Sequence, residues 1–409
     1  MHSKIDRSIL DFAITLYIPG FFVNLGFSII SPILPQYAES FGVSTGLASL
    51  IITANAAGRI LADIPLGSMC DRIGRRPLAI GGPLVVTVAA ILCGLAPNFY
   101  ALLLFRAIGG AGMSMWMIAR QAMIADSIDP SIRGRIMSTF MSVNMVGSAA
   151  GPTFGGIIYD LYKDYRAPFF FYAASTFASF ITCYLLVKET AQPKEKMTDE
   201  GSSAHQNQMM EVLKYINFMI IIAAFSSFSN SVRFAARGLL IPLYGVDVLS
   251  LSATEVGLIL SFCTILNIII AMPGGMIVDK YGRKVGITLS LIISALSYAI
   301  IPFSNSFISF LFLVSLQGVA GGIGGGATMA LAADLAPPNL RGAFLGFWTT
   351  VGDLGAVIGP IMCGALADLY GLSGSFYGTA ILVAIGGITT QLFVKETLKK
   401  KKKNESSQP

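Results

Sequence analysis

Arg59, Asp63, Arg106, Arg120, Arg233, Arg237 and Asp353 lie inside stretches that are otherwise apolar. A charge in hydrocarbon is costly and persists where it meets a partner, a polar cavity or water, so these positions are the first candidates for chemistry. A carboxylate at that depth can carry a proton in one arrangement and release it in another. A guanidinium can hold a ligand's carboxylate or phosphate through paired hydrogen bonds. Arg59 and Asp63 stand four residues apart, neighbours on one helix face, and are expected to neutralise each other. Arg233 and Arg237 share that spacing but also a sign, so an anion or carboxylate must answer them. Two answers are open: both face a ligand together with Arg106, or Arg237 reaches the outer surface near Asp247 while Arg233 pairs with an acid such as Asp353. Asp353 follows Gly342 by eleven residues, which at the helical rise puts it about 16 Å into its span, near the midplane. Asp63, Arg106 and Asp353 are thus the proton-coupling candidates. Asn24, Arg106, Arg233 and Arg237 are the cavity candidates.

Other chemistry has little to stand on. His2 and His205 fall outside the apolar spans, and Cys70, Cys93, Cys183, Cys263 and Cys363 have no ligand spacing, so no metal site and no cofactor are expected. Gly322 to Ala327 is glycine-rich but lies in an apolar span without a strand before it, which reads as tight helix packing and not as a nucleotide loop.

The elements that must hold these residues are membrane helices. Of 409 residues 54% are hydrophobic and 12% charged, about half the ~25% charged share of soluble domains, and the mean hydropathy is +0.70. No polar block of ~50 residues exists to fold separately, which excludes an anchored soluble enzyme, a secreted disulfide scaffold and a nucleic-acid-binding domain. Apolar runs between charged or Pro/Gly punctuation predict spans at 10–36, 45–69, 78–96, 99–124, 136–159, 167–187, 213–244, 254–278, 285–303, 307–332, 343–367 and 375–394. Unpaired backbone groups are not tolerated in lipid, so all are helices despite Pro83 and Pro273. Residues 188–212 read as a solvated linker and 395–409 as a basic tail. Lys163 and Arg166 alone among the 28 Lys and Arg residues fall in outer loops if the N-terminus is inside, so both termini are expected in the cytoplasm. The net charge of +6 is then mostly a topology signal, with Lys399 to Lys403 facing membrane lipids, and implies no nucleic-acid partner.

One shift organises the chain. Moving it by 208 residues superposes Pro65 on Pro273, Gly67 on Gly275, Asp71 on Asp279, Gly74 on Gly282, Arg75 on Arg283, Gly110 on Gly318, Asp126 on Asp334, Arg133 on Arg341 and Gly151-Pro152 on Gly359-Pro360. Val187-Lys188-Glu189-Thr190 returns as Val394-Lys395-Glu396-Thr397. The chain is therefore expected to be two parallel six-helix units, 1–187 and 213–394, related by an axis along the membrane normal.

On these residues the chain resembles the major facilitator superfamily over nearly its whole length. Gly67-Ser68-Met69-Cys70-Asp71-Arg72-Ile73-Gly74-Arg75-Arg76 is similar to the family's loop motif between the second and third helices, with a weaker copy at Asp279, Gly282 and Arg283. The resemblance implies a cytoplasmic gate in which Asp71 and Arg75 meet Asp126 and the start of the eleventh helix; the alternative is that these charges only retain the loop inside. Arg106 to Gly112 resembles a family motif with Gln-Gly after the arginine, here Gly109-Gly110. In proton-coupled relatives that arginine is linked to proton transfer, while a structural hydrogen bond to carbonyls is the competing role. Gly147-Ser148-Ala149-Ala150-Gly151-Pro152-Thr153-Phe154-Gly155-Gly156 resembles the motif of drug:proton antiporters. Its glycines at four-residue spacing make a smooth packing face and Pro152 permits a bend. Where many such antiporters carry an acid in the first helix, this chain has Asn24.

The resemblance thus implies an all-α, twelve-helix fold in the cell (plasma) membrane and a secondary active transporter, not an enzyme, that exports small amphipathic compounds against protons by alternating access. The alternatives are an organic anion or metabolite transporter, by symport or uniport, and a receptor that keeps the fold without transport.

Overall fold

The computed structural model describes residues 2–190, 211–212 and 214–398. Most of the expected linker and the lysine run of the tail lie outside the described residues. All regular structure among the described residues is helical. The long helices are α1 (His2–Ile29), α2 (Thr45–Ile73, in two pieces that meet at Ser49), α3 (Arg75–Gly94), α4 (Phe99–Ser127), α5 (Pro130–Tyr162), α6 (Arg166–Leu186), α7 (Phe218–Leu243), α8 (Ala253–Tyr281), α9 (Arg283–Ile300), α10 (Phe307–Gly324) and α11 (Arg341–Phe393). Nine stretches among the described residues are long and apolar enough to cross a bilayer.

Local chemistry sets their ends. Asn98, Asn217 and Ser252 cap α4, α7 and α8 by accepting from Ala101, Ile220 and Glu255 backbone N–H groups at 2.9, 3.0 and 3.2 Å, which satisfies donors that the first turn leaves open. Gly74 and Gly282, at matching places before α3 and α9, take φ of 96° and 113°, a backbone that a side chain disfavours.

Two expected spans are reshaped. The span 10–36 stops at Ile29 and turns through residues 30–33 into a short helix, Leu34–Glu39. Pro32 has no N–H to continue the ladder and its ring crowds the preceding turn. The span 307–332 breaks after Gly324 and resumes as Ala327–Leu335, because Gly325-Gly326 favours the unfolded chain more than any other pair. The spans 343–367 and 375–394 are the two arms of α11, two helices that part at Gly371, whose φ of 72° and ψ of 173° are not helical.

Four apolar clusters form the core. Two draw on residues 16–187, with Ala253 as the one addition, and two on residues 212–394. Between these groups run two seams. In one, α2 lies along α11: Thr53 Oγ1 donates to Val357 O at 2.9 Å, and a Cβ on Gly364 would come within 2.7 Å of Ser49 Cβ. In the other, α5 lies along α8: Thr153 Oγ1 donates to Ser261 Oγ at 2.7 Å, and a Cβ on Gly156 would run into the Ala253 carbonyl. Thr53 and Ser261, like Gly156 and Gly364, are related by the shift of 208, so the repeat in sequence is also a repeat in packing.

Candidate functional site

The charged residues of α2 and α11 meet at a cavity. It holds about 520 Å³ and is lined from both groups of helices: Arg59 and Asp63 of α2, Gln121 of α4, Ser227 and Ser231 of α7, Trp348 and Asp353 of α11, with Met117, Met329 and Thr328 among the rest. Arg59 Nη2 and the Asp353 carboxylate form an ion pair across the seam. Each side chain is about 30% exposed (29% and 31%), so water in the cavity reaches the pair and screens it. Asp63, one turn further along α2, accepts a short hydrogen bond from Ser114 Oγ of α4. The expected Arg59–Asp63 neutralisation is therefore corrected: Arg59 answers an acid 294 residues away, because the face of α2 that carries both residues is turned to the cavity and the partner helix there offers a carboxylate.

The other arginines lie elsewhere. Arg106 is 3% exposed, with Nε 3.5 Å from Ile51 O and Cζ 5.8 Å from the Phe27 ring centre. Arg233 is 2% exposed and donates to Ser294 Oγ at 2.8 Å, Ser290 Oγ at 3.3 Å and Asn230 Oδ1 at 2.7 Å. Three neutral oxygens and the face of Phe234, 4.8 Å away, take the place of the carboxylate expected from Asp353. Arg237 reaches Cys263 Sγ at 3.4 Å, not the outer surface near Asp247. Asn24 donates to Gly20 O of its own helix at 2.9 Å. None of these four is among the residues that line this cavity. Arg120, buried, rests on the Phe140 ring at 4.3 Å.

The loop motif lies at the C-terminal end of α2, beyond Arg59 and Asp63. Arg75, its side chain 7% exposed, holds Asp126 at 2.9 Å and Asp71 at 3.3 Å. Arg72 and Arg76 are exposed. Glu189 accepts from the backbone N–H groups of Arg75 and Arg76 at 3.0 and 3.1 Å, and Glu396 does the same for Arg283 and Lys284 at 2.9 and 3.1 Å. This is the physical content of the repeated Val-Lys-Glu-Thr: a carboxylate at a helix N-terminus, where the dipole favours it. In the copy, Arg283 holds Asp279 at 2.8 Å and stands 3.6 Å from Asp334. Asp71 is more than half exposed (55%), and Gly67 has open space where its Cβ would be; the expected approach of the eleventh helix's start to Asp71 is not among the contacts of this arrangement. Asp71→Asn is expected to leave thermal stability nearly unchanged, because Arg75 keeps Asp126, whereas Asp126→Asn should cost about 1–3 kcal/mol by leaving a buried guanidinium under-bonded. Thermal unfolding of the two purified variants checks the order.

At the opposite end the glycines of α5 do the packing. Cβ atoms on Gly147 and Gly151 would sit 2.8 Å from Phe21 O and 2.5 Å from Ser28 Cβ, and one on Gly155 would overlap the Ile29 carbonyl. The cavity residues Gln121, Thr328 and Trp348, and Ser114, which donates to Asp63, had no signal in the sequence, since a residue in a helix does not declare which neighbour it faces.

Compared with known proteins, residues 16–232 and 225–409 match the family model described as Major Facilitator Superfamily. An uncharacterized MFS-type transporter of Methanocaldococcus jannaschii is 26% identical over 397 residues, 96% of this chain and 99% of the relative. Multidrug resistance protein MdtG of Proteus mirabilis is 27% identical over 375 residues, covering 89% and 90% of the two chains. Among solved structures, a D-xylose-proton symporter superposes with a TM-score of 0.77 at 18% identity, covering 95% of this chain and 98% of that one.

Proposed function

The chain belongs to the major facilitator superfamily and is a multi-pass membrane transporter, and from that premise we propose that it exports small amphipathic compounds in exchange for protons. In this reading twelve helical crossings, counting the two arms of α11, form two parallel units, 1–187 and 213–394, joined by the linker 188–212, in the plasma membrane with both termini and the tail 395–409 in the cytoplasm. The end carrying the loop motif faces the cytoplasm, and the cavity takes substrate from there.

The observation that carries the proposal is an asymmetry. The α2–α11 and α5–α8 seams share their small-residue packing, but the shift of 208 places Asn267 opposite Arg59, Met145 opposite Asp353 and Ala271 opposite Asp63. Packing of this kind therefore does not need the charges, and charge retained at membrane depth without a packing need is the mark of an ion pathway. With Arg59 paired to Asp353, the cavity keeps Asp63 as its acid, held by Ser114 and suited to a cationic group. When the units rock and the seam parts, Asp353 loses its guanidinium and binds a proton instead; re-pairing with Arg59 expels that proton to the side then open. Protons and a cationic amphiphile thus compete for one acidic cavity in opposite phases of a cycle. The names of the multidrug-resistance relatives agree with this substrate class.

Purified protein in liposomes with an internal pH dye tests the reading. Lipophilic cations added under an imposed gradient should move protons, and organic anions should not. A response confined to anions, or none to any cation, would overturn it. Asp71→Asn in the same liposomes should slow turnover with substrate affinity kept, since the loop motif acts on the motion of the units and not on the cavity; near-normal turnover would remove the gate assignment.

A further inference from the structure

At the end of the molecule opposite the loop motif two carboxylates make the same kind of contact in reverse directions. Asp160, at the last turns of α5, accepts from the Thr254 N–H in the first turn of α8 at 2.8 Å. Asp368, on α11, accepts from the Gly46 N–H in the first turn of α2 at 3.0 Å and from Ser44 Oγ at 2.7 Å. Each carboxylate thus sits on a helix N-terminus of the other group, where open N–H donors and the helix dipole both favour a negative charge. The shift of 208 takes Asp160 to Asp368, Ser44 to Ser252 and Gly46 to Thr254. It also takes Gly156 to Gly364, and these are the glycines that let the helices approach one turn below each carboxylate. The backbone N–H to carboxylate bond is the member that both contacts share, whereas Ser252 Oγ, the counterpart of Ser44 Oγ, donates to Glu255 instead.

We infer that Asp160 and Asp368 are a matched pair of latches that hold the outer end closed, each releasing when its helix N-terminus moves away, so that together they set the balance between the two access states. The inference rests on the alternating-access reading above. The contacts join the two groups of helices and bind no ligand, so they are positioning residues. Asp160 also takes Lys163 Nζ at 3.1 Å, a contact within its own group that does not cross the seam. Near Asp368, Glu39 accepts from Thr45 Oγ1 at 2.6 Å, and burial raises its carboxyl above the ordinary value against that hydrogen bond; it too stays within its own group.

The test reads geometry and not transport. Tyr100 and Ile308, 77% and 76% exposed near the starts of α4 and α10, are replaced by cysteine and spin-labelled, the native cysteines being buried. Pulsed EPR of the whole chain in nanodiscs then gives the distance across the outer end. A charge-assisted hydrogen bond across the seam should be worth about a tenfold change in the closed-to-open ratio. Asp160→Ala and Asp368→Ala should each enrich the long distance about tenfold, and the double variant should multiply the effects, as independent sites do. Asp160→Asn and Asp368→Asn, which keep a neutral acceptor and the fold, should give smaller shifts of the same sign. An unchanged distribution in the Ala and Asn variants, or a shift in only one of the two positions, would overturn the matched-latch assignment. A chain that moves none of the tested compounds in liposomes but still shows both shifts would fail the exchange reading and leave the latches standing.

Discussion

Asp353→Asn is expected to abolish proton-driven uphill transport, bringing accumulation to the level of protein-free liposomes, while substrate binding and exchange remain measurable. The reason is the cross-seam pair. In the native chain Arg59 has Asp353 as its ion-pair partner, and Asp63 lies one turn away on the same helix, hydrogen-bonded to Ser114. Removing the Asp353 charge takes the proton carrier out of the cavity and leaves Arg59 at membrane depth without its partner, while Asp63 stays hydrogen-bonded to Ser114 and keeps an acid for the substrate. Removing one member of an ion pair costs more than removing both, so Arg59→Gln added to Asp353→Asn should recover thermal stability without recovering coupling. Counterflow and gradient-driven uptake measured on the same preparations separate the two effects. Unchanged uphill transport in Asp353→Asn would assign the residue to structure.

Gly155→Leu is expected to give the largest loss of stability among single changes in α5, an apparent midpoint lower by on the order of 5–10 °C. A Cβ at Gly155 would overlap the Ile29 carbonyl, and a backbone group in the middle of a packed helix pair cannot swing aside as a side-chain tip can. Small residues let membrane helices approach closely, and van der Waals contact is what holds them there. Gly67→Ala is the contrast. Gly67 belongs to the loop motif and has open space at its Cβ, so its replacement should leave the midpoint unchanged or slightly raised. Thermal scans of both variants in one detergent compare them directly, and equal losses would contradict the packing account of α5.

What could be read without coordinates was whatever depends on order along the chain. Hydropathy located the helices, because in lipid a long apolar run has no other way to satisfy its backbone. The shift of 208 located the repeat, and the loop motif, its weaker copy and the glycines of α5 located the family. The helix ends were less legible: the break after Ile29 and the interruption at Gly325-Gly326 depend on single residues inside runs that are otherwise uniformly apolar.

Only the tertiary structure decided which charge answers which. Arg59 and Asp63 have the spacing of a local pair, yet Arg59 crosses to Asp353, and Arg233, expected to need an acid, is satisfied by Ser290, Ser294 and Asn230. Spacing along a helix fixes which residues share a face but not which way that face turns, and in a bundle the turn is set by packing against every neighbour at once. The latches show the same limit from the other side. Asp160 and Asp368 were in the repeat all along, but their meaning lies in the helix N-termini that the fold brings to them.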